Sequence, residues 1–151
     1  MNLIRTDQQV ALNDLLVATE KSADLLRDAA HFLDGTGMEH ELEQLADRRE
    51  MVTTDLQQAI RALDDMPSTP DPDAESTEKL LHRISALFSG EKSSETTLRQ
   101  RLATEDQLSE LLAEAQSGAL GEGVDLLMYE LNESIREVTL HLQQLLRRCT
   151  G

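Results

Sequence analysis

The sequence predicts an all-α protein, a four-helix bundle made of two antiparallel hairpins and a long connection between them. Three observations carry this. Ala, Leu, Glu, Gln and Arg, all strong helix formers, dominate the 151 residues. Trp is absent, and Tyr129, Phe32 and Phe88 are the only aromatic residues, so the β-branched and aromatic runs that mark strands are missing. Finally, four long stretches repeat their apolar residues with helical period, and two of the three breaks between them are short and glycine-containing.

The elements follow in order. Thr6 and Gln9 have the spacing of a capping box, and the apolar pattern continues from there to Leu33. "DGTG" at 34–37 stops it, and Thr36 with Glu39 forms a second capping box that opens helix 2, which reaches about Leu63. "DDMPSTPDPDAE" then holds all three prolines, Pro67, Pro70 and Pro72, and reads as loop. "STEKLLHRISALF" (76–88) is a short amphipathic helix with Leu80, Leu81, Ile84, Leu87 and Phe88 on one side, expected to pack over an end or side of the bundle. Helix 3 runs from about Glu95 to Gln116, "SGALGEG" breaks the chain, and helix 4 runs from about Val124 to Arg148. One domain over 1–151 results, with a crossover linker at about 64–94. Short turns make antiparallel neighbours, while the long linker can set helices 2 and 3 parallel, which is the connectivity of ferritin-like bundles.

Composition narrows the function. Net charge is −15, from 29 acids and 14 bases, and the acids are spread over the whole length. Such a surface repels nucleic-acid phosphate and anionic membranes. Neither nucleic acid nor membrane is therefore expected as a partner. The single cysteine, Cys149, excludes an internal disulfide framework and a cysteine-based zinc site. "MNLIRTDQQV" lacks the apolar core of a signal peptide, so cytoplasmic residence is expected. No Ser stands in a Gly-x-Ser-x-Gly setting, and "GALGEG" resembles a phosphate loop only in its glycines. No catalytic residue is expected.

A metal site is the sharper question, because Glu130, Glu133, Glu137 and His141 share one helix. The apolar stripe there is Val124, Leu127, Leu131, Ile135, Val138, Leu142 and Leu145. Glu130, Glu137 and His141 project about 90° to 130° from its centre and Glu133 nearly opposite, which describes a solvated flank with local pairs such as Glu133–Arg136. A di-iron bundle needs an inward Glu on two helices and Glu-x-x-His on the other two. This chain has no Glu-x-x-His, and helix 1 offers Thr19 and Ser22 where an inward carboxylate belongs. No metal and no cofactor are expected; if a non-standard site existed, Glu105, Glu137 and His141 would be its ligands.

Two charges do fall inside apolar seams. Helix 2 runs Met38, Leu42, Leu45, Arg49, Val52, Leu56, Leu63, and helix 3 runs Leu98, Leu102, Glu105, Leu108, Leu112. An unpaired buried charge is costly. Arg49 and Glu105 are thus candidates for a core polar pair, against the alternatives that either reaches solvent or that Glu105 pairs with Arg101 one turn back.

"ALNDLLVATEKSADLLRDAA", "LADRREMVTTDL", "EKLLHRISALFSG" and "ATEDQL" together resemble a bacterial ferritin-like family known as domain of unknown function 2383, over roughly residues 10–148. The resemblance implies a ferritin-like fold and a stress-associated role without an assigned reaction. That family carries Ile-x-x-x-His on helix 4; here Ile135 is followed at this spacing by Thr139, and His141 comes two residues later. The functional expectation is a metal-free bundle acting as an interaction or stress-response protein, with a homodimer or another protein as partner. Leu111 on helix 3, the short helix and an exposed side of Leu16 would supply the contact surface. The alternatives are a metalloprotein with a non-standard carboxylate/His site, or an acidic inhibitor or nucleic-acid mimic that binds a basic protein.

Overall fold

The computed structural model describes residues 7–63, 93–118 and 122–150, and among them there are four α-helices and no strand. The helices are α1 (Asp7–Phe32), α2 (Glu39–Ala62), α3 (Ser94–Ser117) and α4 (Asp125–Thr150), the last preceded by a single 3-10 turn at Glu122–Val124. Thr6, the proline-rich stretch and the amphipathic segment 76–88 lie outside the described residues.

The helices pack in pairs, α1 on α2 and α3 on α4, with α1 also against α3 and α2 against α4. Two apolar clusters fix their directions. One gathers Leu12 and Leu15 of α1, Leu56 and Ile60 of α2, Leu108 and Leu112 of α3, and Met128 and Leu131 of α4. The other gathers Leu26 and Leu33, Leu42 and Leu45, Leu98, and Leu142 and Leu145. Sequence numbers rise from the first cluster to the second in α1 and α4, and fall in α2 and α3. So α1 and α4 point one way and α2 and α3 the other. The end of α2 and the start of α3 therefore stand at opposite ends of the helices, each about 36 Å long for 24 residues. Interhelical bonds agree with these directions. Gln9 Nε2 donates to the Leu63 carbonyl at 3.0 Å, and Arg148 bonds Glu41 while Arg48 bonds Glu137.

Local chemistry sets the ends. Gly35 and Gly37 adopt φ of 85° and 89° in the turn after α1, a region that costs a side chain but not glycine. This lengthens the turn and moves the start of α2, so the expected Thr36–Glu39 capping box does not form. Met38 is the N-cap without a side-chain bond, Thr36 Oγ1 accepts from Met38 N at 3.3 Å, and the Glu39 carboxylate accepts from Gly37 N at 2.9 Å. A cap that sequence reading missed opens α3, where Ser93 Oγ accepts from Thr96 N at 3.1 Å.

Leu16 also departs from expectation. It is fully buried rather than half-exposed, because α1 faces both α2 and α3 and buries a wider arc than a single stripe. Leu111 packs on the core's edge and is partly buried. Leu16 therefore offers none of the contact surface assigned to it.

Removing the α3 cap tests the local account. Ser93→Ala should lower stability by about 0.5–2 kcal/mol in denaturant titration, the usual cost of losing an N-cap oxygen, with helix content unchanged.

Candidate functional site

The two apolar clusters meet at a layer of polar side chains, and Arg49 is at its centre. The seam position of Arg49 on α2 sends the guanidinium into the middle of all four helices, where it is 0% exposed. Nη2 donates to Glu105 Oε1 at 2.6 Å and Nη1 to Oε2 at 3.1 Å, a two-pronged ion pair with α3. Nη1 also donates to Ser22 Oγ of α1 at 2.8 Å, and Nε to Ser134 Oγ of α4 at 2.9 Å. One side chain thereby bonds to each of the other three helices. Around it the hydroxyls of the layer return their own hydrogens to helix backbone: Ser22 to the Thr19 carbonyl at 2.7 Å, Thr19 to Leu15 at 2.6 Å, Thr53 to Arg49 at 3.1 Å and Thr104 to Gln100 at 3.0 Å.

A second guanidinium sits in this layer. Arg101 is 2% exposed, and its Nη1 donates to the Leu25 carbonyl of α1 at 3.3 Å. Burial pulls its pKa down to about 10, against the pull of the Asp28 and Glu105 charges. Burial likewise pushes the Glu105 carboxyl up, opposed chiefly by Arg49 and then by Arg101. Sequence reading treated Arg101 only as a possible neighbour of Glu105. The signal was present, since on a helical wheel Arg101 falls only about 40° from the centre of the α3 stripe.

The flank of α4 is a different environment. Glu130, Glu133, Glu137 and His141 all line an open groove of about 440 Å³ between α2 and α4, together with Arg48, Val52 and Leu140. Glu137 is taken by Arg48, Glu133 pairs with Arg136 at 3.3 Å, and His141 Nδ1 lies 3.0 Å from the Glu137 carbonyl oxygen. Glu130 meets the Asp55 carboxyl across the interface; that hydrogen bond, then burial, then charge repulsion push its pKa up to about 7.

Glu105, Glu137 and His141 are thus not brought together. Glu105 is inside the four helices and bound to Arg49, while the other two lie on the α2–α4 flank. Among the described residues, no three His, Cys, Asp or Glu side chains converge on a point that could hold a metal ion. His31 and His40 are exposed, and His82 lies outside the described residues. Cys149 is exposed in the last turn of α4, its Sγ 3.8 Å from Met38 Sδ. Nor, among the described residues, is any helix long and apolar enough to cross a membrane.

The chain matches no protein-family model, no curated protein and no solved structure.

Two predictions follow from the charges. Arg49 and Glu105 are bonded to each other inside the bundle, so Glu105→Leu or Arg49→Leu removes the bonded partner of a fully buried charge. Each should destabilise by about 3–5 kcal/mol in urea titration, and the double variant should recover most of the loss. Strictly additive losses would mean that the two residues act independently.

The second concerns Glu130. A carboxyl whose folded pKa is raised binds its proton more tightly folded than unfolded. Its contribution is complete below the unfolded value and is lost as pH rises through about 7. Glu130→Gln should flatten this part of the stability profile between pH 5 and pH 8. An unchanged slope in the variant would remove the carboxyl pair as its source.

Proposed function

We propose that the chain is a metal-free, ferritin-like helical bundle that works by association with protein, a second copy of itself included, rather than by catalysis. The single observation that carries this is the Arg49 guanidinium at the meeting point of the four helices. A di-metal bundle places inward carboxylates and histidines at that height so that they can share the charge of the cations. Here the positive charge is supplied by a side chain. Glu105, the inward carboxylate, is engaged through both of its oxygens, and α1 presents Ser22 and Thr19 to the same layer. The residues present do not fit a di-metal centre, and the interior is committed to holding the helices together.

The directions of the helices support the ferritin-like part of the reading. With α2 and α3 pointing the same way, the end of α2 and the start of α3 stand at opposite ends of the helices, the separation that a single long crossover spans in ferritin-like folds. The resemblance to the bacterial family adds a stress-associated role, and the acidic surface suits a freely diffusing protein with a protein partner.

Elemental analysis tests the metal-free reading. Protein purified without chelator should hold well under one iron, manganese or zinc per chain. Stoichiometric metal that disappears on Glu105→Ala would overturn it and restore Glu105 as a ligand.

A further inference from the structure

Six large apolar side chains among the described residues are exposed, and three of them share one face of α4: Leu126 at 81%, Tyr129 at 63% and Leu140 at 55%. On the helical wheel this face is directly opposite the buried stripe of Leu131, Ile135, Val138 and Leu142, so it points straight out from the four helices. Glu133 and Arg136 lie between Tyr129 and Leu140 on the same face and bond each other only at 3.3 Å with both side chains well exposed. Shallow grooves run along both sides of this ridge, about 440 Å³ between α2 and α4 and about 380 Å³ between α3 and α4.

Read from one end the ridge runs apolar, acid, base, apolar, and from the other apolar, base, acid, apolar, so two copies laid antiparallel set apolar against apolar and acid against base. We propose that this face of α4 is the interface of a two-fold homodimer, in which α4 lies antiparallel on α4 of a second copy. With the symmetry axis midway between Glu133 and Arg136, Glu133 faces the partner's Arg136 and Arg136 faces the partner's Glu133. Tyr129 then faces the partner's Leu140, and Leu140 the partner's Tyr129. A two-fold contact demands this self-complementarity, because one surface must serve both sides.

Charge makes α4 the helix on which two such acidic chains can meet. Helices α1, α2 and α3 each carry three more acids than bases, whereas α4 has four acids and three arginines. Repulsion between copies that each carry −15 is therefore weakest there. The inference rests on the association reading and names the partner that it leaves open, with α4 in place of the buried Leu16 as the contact.

Charge reversal with mixing tests it, by sedimentation equilibrium at high micromolar concentration. The parent should show twice the 16.8 kDa chain mass. Glu133→Arg alone places arginine against arginine at both symmetric contacts, and Arg136→Glu alone places acid against acid, so each variant should run as a monomer. An equimolar mixture of the two variants should return to the dimer mass, since every contact then pairs opposite charges. Both positions are exposed, and circular dichroism of each variant checks that the fold is kept. A monomeric parent, or single variants that dimerise like the parent, would overturn the interface. So would a mixture that stays monomeric. None of these results bears on metal content, which is measured separately.

Discussion

Everything in this fold turns on one guanidinium held among four helices. Arg49 belongs to α2, yet its donors end on Ser22 of α1, Glu105 of α3 and Ser134 of α4. A buried charge without partners is among the costliest things a core can contain. The placement of the four helices satisfies this one from three sides. Sliding α3 by a single turn would carry Glu105 about 5.4 Å away and break its two-pronged pair with Arg49. The apolar clusters above and below stabilise the bundle by burial, which is non-directional and would tolerate several registers. The polar layer selects among them.

The same arrangement determines what surrounds the inward carboxylate. Carboxylates in bundle cores become ligands when several converge with open coordination positions between them. Here Glu105 meets a rigid, planar donor that engages both of its oxygens. Arg101 adds a second positive charge to that layer, and its depressed pKa of about 10 reflects how thoroughly the site is dried. In the proposed function, recognition belongs to the outside. There α4 is the least acidic helix and the one with the most exposed apolar surface among those described.

Much of this was legible in the sequence, and the rest was hidden for identifiable reasons. Helical period and glycine breaks located all four helices to within one or two residues, because each buries a stripe against its neighbours. Arg49 and Glu105 stood out as charges inside apolar seams. Ser22 was read as facing inward, but its bond to Arg49 depends on the relative heights of α1 and α2, and Ser134 depends likewise on α4. The Asp55–Glu130 contact escaped notice for the same reason, being a matter of interhelical register that no single helix encodes. Arg101 was overlooked although its wheel position was informative, since a long cationic side chain at a stripe's edge usually reaches solvent. The Thr36–Glu39 box failed because two glycines at positive φ redistributed the turn, and Leu16 because a helix flanked by two others buries more than one stripe.

The central claim concerns the immobility and bonding of one side chain, which nitrogen NMR of the arginine side chains observes directly. If Arg49 is clamped between Glu105, Ser22 and Ser134, its two Nη groups should give separate, sharp resonances. Their hydrogens should exchange slowly with water, and the signals should be assigned by their loss in Arg49→Lys. An Arg49 signal averaged by rapid rotation and exchanging as fast as that of exposed Arg99 would contradict the account, because no side chain bonded on three sides in a dry core can turn so freely.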